Sequence, residues 1–268
     1  MKKANLLMVP FLMVLTLLWA CCKTDDPGKP EPSGKLIFNF LHYCDGSPMI
    51  FDTTMYVNEA GNPYQVNEIQ YFITDITLHA ADGKKVVLNK ENDIYYVDTD
   101  LPGTHKWQVA DPVPAGTYTG VSFTFGIPQA KNQSFMYVNP PESNMVWPEF
   151  LGGGYHYMKL NGKYVDSVLR PFNFHLGIGQ IYPPNSHNYD SIIAFVHNDF
   201  EAILPNSGFT ITKDQVINFD IVMNIDEWFK DPHTWDHKLM GNYTMENQDA
   251  MQKMKENGYN VFTAGTIR

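Results

Sequence analysis

From Leu36 onward the sequence is cut into short apolar–polar alternations separated by turn-forming clusters, and this pattern excludes most architectures. In Leu36–Tyr43, residues Ile37, Asn39, Leu41 and Tyr43 fall on one face, and Leu36, Phe38, Phe40 and His42 on the other, which is the two-residue period of a strand. Asp45-Gly46-Ser47-Pro48, Glu59-Ala60-Gly61-Asn62-Pro63, Ala81-Asp82-Gly83-Lys84 and Pro114-Ala115-Gly116 are turn sequences, built from residues that preset or tolerate bent backbone. Signals of this kind every roughly 8–15 residues favour a sandwich over alternating strand–helix units. Strands are expected at Leu36–Tyr43, Met49–Val57, Val66–Ala80, Val86–Leu88, Ile94–Val97, Tyr118–Phe125, Tyr155–Leu160, Phe172–Leu176, Ile192–Val196 and Val216–Met223. A helical turn is expected around Ile225–Lys230, and a helix over Met245–Asn257 with Gly258 as its stop. The fold class is therefore all-β: a two-sheet antiparallel β-sandwich with a short C-terminal helix and long loops. Ile127–Gly154, rich in Pro, Asn and Gly, is the longest such loop, and loops of that length commonly serve a site.

The first residues follow another logic. Lys2 and Lys3 precede an apolar run from Leu6 to Ala20 that Pro10 interrupts, the order of a secretory signal and too short for a spanning helix. Leu18-Trp19-Ala20-Cys21 resembles a lipobox, in which the thiol of Cys21 would carry the lipid. Residues 1–20 are thus expected to be a signal peptide. Residues 21–34 are expected to be a lipidated cysteine and flexible tether, since the proline- and glycine-rich PGKPEPSG cannot pack. Lys23-Thr24-Asp25-Asp26 resembles the acidic export tag of some Gram-negative surface lipoproteins. The expected location is the cell envelope, lipid-anchored to the outer membrane and exposed at the surface.

That leaves one domain, 35–268. A formal charge of −10 argues against a nucleic-acid partner, which calls for a clustered basic face. Cys44 is the only thiol of the domain, so no internal disulfide framework can form, and an apolar core with 14% aromatic content must hold the fold. The chain has no Gly-x-Ser-x-Gly elbow, phosphate loop, His-Glu-x-x-His or paired-cysteine pattern, and no nucleophile stands with a base and an orienting group at plausible spacing. A non-catalytic role is expected.

Nine histidines make metal binding the better lead. His42 and Cys44 are two apart on one strand and face the same way, and imidazole with thiolate suits copper(I) or zinc. His156 lies between Tyr155 and Tyr157 and points away from both; His175 follows Phe172-Asn173-Phe174. Each could equally be a hydrogen-bonded core histidine, and Cys44 a small buried hydrophobe. His233 and His237 are four apart, on one face if helical, although Pro232 favours a loop. Met245, Met251 and Met254 read as helix packing.

Longer motifs resemble the MbnP-like, methanobactin-associated family. Met145-Val146-Trp147-Pro148-Glu149-Phe150-Leu151-Gly152-Gly153-Gly154-Tyr155-His156-Tyr157-Met158-Lys159-Leu160-Asn161-Gly162 looks like its first signature, and Phe174-His175-Leu176-Gly177 like its second. The turn at Asp45-Gly46-Ser47-Pro48 fits, as does Tyr56-Val57-Asn58-Glu59-Ala60-Gly61 leading into Val66–Thr74. So does Asp226-Glu227-Trp228-Phe229, followed by the last helix and Gly258–Phe262. The resemblance implies a sandwich that binds copper, with His175, His42 and His156 as candidate ligands and Trp147 and Cys44 beside the metal. In some members a tryptophan is oxidised to kynurenine by a MauG-like di-haem peroxidase partner. Trp147 matches the first tryptophan of the family's Met-x-Trp-x-Trp run, but Glu149 stands where the second would be. A TonB-dependent outer-membrane receptor is a further partner that this reading implies.

Two other readings stay open. Tyr137, Trp147, Tyr182 and Tyr189 could stack on sugar rings, which would make the chain a glycan- or other small-ligand-binding lipoprotein of a nutrient-uptake system. It could also be an adhesion domain without a small ligand. His42, His156 and His175 meeting in one pocket would mark the copper reading, and an exposed flat aromatic row the glycan reading.

Overall fold

The structure, a computed structural model, describes residues 31–53, 56–89 and 93–268. The expected signal segment, Cys21 and most of the tether lie outside the described residues. Pro32–Arg268 forms one unit. In chain order its strands are β1 (Ser33–Cys44), β2 (Ser47–Pro48), β3 (Tyr56–Val57), β4 (Pro63–Ala80), β5 (Lys85–Val87), β6 (Ile94–Asp98), β7 (Lys106–Gln108), β8 (Val113–Pro114) and β9 (Gly116–Phe125). They continue as β10 (Met158–Asp166), β11 (Val168–Leu176), β12 (Ile178–Ile181), β13 (Ala194–His197), β14 (Phe200–Leu204), β15 (Phe209–Ile211), β16 (Val216–Asn224) and β17 (Phe262–Ile267). The helices are α1 (His237–Met240) and α2 (Gln248–Asn257).

One sheet runs β17-β16-β1-β2, with β7 and β8 also on β1. The other runs β11-β10-β4-β9-β14, with β3, β5 and β6 on β4 and β15 on β9. The all-β sandwich expected from the sequence is thus the observed fold. A small third sheet, β12-β13, lies outside both. The row Leu36, Phe38, Phe40, His42 and Cys44 is the buried face of β1, as the alternation requires. Phe262 of β17 meets Phe123 and Phe125 of β9, each at 5.1 Å between ring centroids, so aromatic edges join the two sheets across the core.

Three expected element boundaries need correction. Met49–Val57 is not one strand: among the described residues only Ser47–Pro48 and Tyr56–Val57 pair, because Asp52 takes a left-handed backbone at φ 60° and breaks the extension. The strand expected from Tyr155 begins at Met158, and the last helix begins at Gln248, where the Asn247 side chain caps it by accepting from the Ala250 N–H. The sandwich is also not wholly antiparallel, since β1 and β16 pair in parallel from Lys35/Val216 to Tyr43/Asn224. Parallel neighbours need a long crossover, and here most of the second sheet lies between them in sequence.

The strand that positions the site is β4. Its first half, Tyr64–Tyr71, pairs with β10, and its second half, Ile73–Ala80, with β9. Within the second half Asp75 sits at φ 54°, at a register shift between Thr74 and Thr77. Such a bulge re-aims the following side chains and lets both Ile73 and Ile76 be fully buried.

Candidate metal centre

Alternation on β10 and β11 builds the floor of the site. Met158 and Leu160, with Phe172, Phe174 and Leu176, point into the core, so Lys159, Asn161, Asn173 and His175 point to the opposite face. His175 is directly across from Lys159 in the β10–β11 register. The segment 127–154 folds over this face. It is fastened by Asn132, whose Oδ1 accepts from the Tyr155 N–H at 2.8 Å, and by Ser134, whose hydroxyl accepts from the Gly154 N–H at 2.8 Å.

Gly152, Gly153 and Gly154 turn the chain back with φ of 117°, 68° and 77°, a run that residues with a Cβ do not tolerate. A side chain there would also strike the clamps: a Cβ on Gly154 would lie 2.5 Å from Asn132 Oδ1. After the turn, Tyr155 bridges Val146. Trp147 donates its backbone N–H to Gly154 O at 2.8 Å, and His156 donates to Met145 O at 2.7 Å. This short ladder sets the Trp147 and His156 rings edge to face, 4.6 Å between centroids at 70°. The His156 ring in turn meets the His175 ring, 5.2 Å between centroids at 84°.

Both imidazoles are held by hydrogen bonds, and His175 Nδ1 is without a hydrogen-bond partner among the described residues. His156 donates from Nδ1 to the Met145 carbonyl at 3.0 Å. His175 Nε2 lies 2.9 Å from Asn161 Oδ1. Burial and then the charge of Lys159 push His175 down to about 4, and burial, then the neighbouring His175 and Lys159, push His156 well below the ordinary histidine value. Both are therefore neutral at pH 7, the form in which imidazole binds a metal. Trp147 is fully buried, with Nε1–H donating to Leu151 O at 3.1 Å.

His42 is not part of this group. Its Nε2 lies 3.2 Å from the Tyr71 hydroxyl. Tyr71 pairs with Met158, and His175 with Lys159. Met158 and Lys159 are neighbours on one strand and face opposite ways, so the second sheet separates His42 from His175. His42 instead contacts His105, 5.7 Å between ring centroids, and Phe51 at 6.4 Å. Cys44 shares the buried face of His42, as its spacing requires, but its sulfur faces the Tyr64 hydroxyl at 3.3 Å, and burial pushes its thiol up to about 12. His233 and His237 also part: His233 bonds Glu256, while His237 is buried against Phe172, Tyr164 and Phe229.

Three site residues escaped sequence reading. Asn161 was findable, because β-alternation puts it on the same face as Lys159 and, through the hairpin, His175. Thr244 receives the His175 N–H at 2.7 Å and donates to the His175 carbonyl at 2.6 Å, a contact from a distant segment with no local signal. His105, whose Nε2 lies 2.8 Å from the Asp98 carbonyl, closes the short 3₁₀ turn Pro102–His105, which no periodicity announces. Near Asn161, carboxylate oxygens of Glu68, Asp98 and Asp100 lie within 4.8 Å of one another. Asp98 already accepts from the Tyr96 hydroxyl, Gln70 and its own loop, so this group is a hydrogen-bonding hub of hard oxygen donors and not part of the imidazole pair.

No curated relative matches the chain. Among solved structures it is similar to MbnP from Methylosinus trichosporium, with a TM-score of 0.52 at 13% identity, covering 87% of this chain and 98% of that one. At that identity the likeness concerns the fold. The family description for MbnP matches residues 33–251, which includes Trp147, His156, His175 and both signature segments, and the chain belongs to the MbnP family.

Proposed function

We propose that this protein is a non-catalytic, methanobactin-associated copper-binding lipoprotein of the cell envelope, and that it holds copper at His156 and His175 beside Trp147. One observation carries the reading: two neutral imidazoles in perpendicular contact, each ring fixed by a hydrogen bond and His175 with its second nitrogen unpartnered. Metal-binding histidines show this pattern, with the second nitrogen orienting the ring. Imidazole suits copper, whereas the nearby carboxylate group suits harder cations. Copper bound here would supply a redox-active centre beside an oxidisable indole, and acquisition, buffering or handover of the ion would be the biological use.

The residues fit such a metal in donor type and protonation. A di-haem peroxidase partner of the MauG type would act on Trp147. Kynurenine at this position is read by mass spectrometry of the Trp147 peptide as the gain of one oxygen and the loss of one carbon. Lipidation at Cys21 and a TonB-dependent receptor complete the proposed setting; Cys21→Ser should release the protein from membranes, and continued lipid labelling of that variant would exclude the anchor. The glycan reading has less support: Trp147 is fully buried and Tyr137 packs on Phe72 and Tyr155.

His42 and His105 form a second imidazole pair, and the deciding experiment sets the two against each other. Copper titration of the mature protein should show one site, weakened tenfold or more in His175→Ala and His156→Ala and unchanged within twofold in His42→Ala. The reverse pattern would move the metal to the His42–His105 pair, and no copper binding in any form would end the reading.

A further inference from the structure

The hydrogen bonds around His175 settle which of its nitrogens is available. Asn161 donates from Nδ2 to Glu68 Oε2 at 3.2 Å and presents Oδ1 to His175 Nε2 at 2.9 Å. Glu68 accepts from the amide nitrogen, which turns the amide with nitrogen towards the carboxyl and oxygen towards the ring. An amide oxygen only accepts. His175 must therefore carry its proton on Nε2 and leave the Nδ1 lone pair free. Thr244 holds the same residue's backbone from both sides, accepting from its N–H and donating to its carbonyl, so the ring cannot escape the amide by a shift of the strand. His156 is held by the other nitrogen, with Nδ1–H given to the Met145 carbonyl.

We propose that Asn161, oriented by Glu68, is the positioning residue of the centre: it locks His175 in the Nε2–H tautomer, so that the site offers Nδ1 of His175 beside the His156 ring. The metal half of this statement rests on the copper reading, whereas the tautomer rests on the hydrogen bonds alone. Asn161 touches no metal in this scheme and acts only through His175. Its loss should resemble the removal of other outer partners of ligating histidines, which costs about 10–100-fold in metal affinity.

The test is long-range ¹H–¹⁵N NMR of the metal-free, histidine-labelled protein, run beside a copper(I) competition titration. Wild type should show His175 protonated on Nε2 and unprotonated on Nδ1. Asn161→Leu should give a mixture of tautomers and bind copper at least tenfold more weakly. Asn161→Asp, which keeps an oxygen acceptor, should retain the wild-type tautomer. An Nδ1–H tautomer in wild type overturns the proposal, as does an Asn161→Leu protein with unchanged tautomer and affinity. If wild type shows the expected tautomer yet binds no copper, the copper reading fails alone and the orienting role of Asn161 stands. If copper binds and Asn161→Leu leaves both readouts unmoved, the copper reading stands and the positioning role fails.

Discussion

Gly177 packs against the six-membered ring of Trp147 so closely that a Cβ at this position would lie 2.5 Å from the indole Cζ3. The glycine of the His175-Leu176-Gly177 motif thus makes room for the tryptophan of the other motif, and the two are halves of one packing contact. Gly177→Ala should displace the indole and cost about 1–3 kcal/mol, the usual penalty of overpacking. Denaturant unfolding followed by tryptophan fluorescence measures it. A variant as stable as wild type, with an unshifted emission maximum, would show that the indole tolerates movement.

His237 should give the protein an acid-labile core. It is fully buried, neither ring nitrogen has a partner, and it stacks on Tyr164 at 5.0 Å. Burial lowers it to about 4, opposed by the charge of Asp236. Because the folded value lies below the unfolded one, the unfolded chain takes up the proton first. Stability present above pH 6.5 is then lost as the pH falls towards 4, at about 1.4 kcal/mol per unit for this group. His237→Phe should remove its share, retaining about 2 kcal/mol more than wild type at pH 5 relative to each protein's value at pH 7. Parallel pH–stability curves for the two proteins would count against the assignment.

Asn257 is a buried clip at the end of α2. Its Nδ2 donates to the carbonyls of Trp228 and His233 at 2.9 and 2.8 Å, and its Oδ1 accepts from the His233 N–H at 2.9 Å. Asn257→Ala would orphan three backbone groups and should cost about 2–4 kcal/mol. A shift in urea midpoint at constant slope is the expected signature.

Lys131 ties the start of the site-covering segment to the bulge of β4, pairing with Asp75 and with Asp93. The lysine is about one-third exposed, so solvent limits its worth. Lys131→Met should lower global stability by no more than about 1–2 kcal/mol, yet it should speed proteolysis within 127–154. Asp75→Asn added to that variant removes one of two carboxylates left facing each other, and should restore part of the loss. Unaltered cleavage kinetics in the single variant would mean that Asn132 and Ser134 hold the segment without help.

The long alternating segments announced their strands because each buries one face: the row on β1 and the apolar positions of β4 could be read directly. Strands such as Phe209–Ile211 and Ile178–Ile181 are too short to show a period, and they exist because neighbouring strands offer an edge. The imidazole pair was half legible. The motifs named His156 and His175, but the contact between them depends on the left-handed turn at Gly152–Gly154 and on a hairpin register that composition does not encode. His42 misled for a related reason. Alternation tells which face of its own strand a residue occupies, and says nothing about which side of the opposing sheet a distant histidine has taken.

The parallel seam between β1 and β16 also has a consequence for how the protein is made. The two strands come from opposite ends of the domain, and neither has its central hydrogen-bonding partner until residues beyond 215 have emerged. Contacts so remote along the chain form late and slowly. A nascent polypeptide would carry β1 with only the short β2, β7 and β8 beside it through most of its synthesis, until its final fifth arrives to close the clasp.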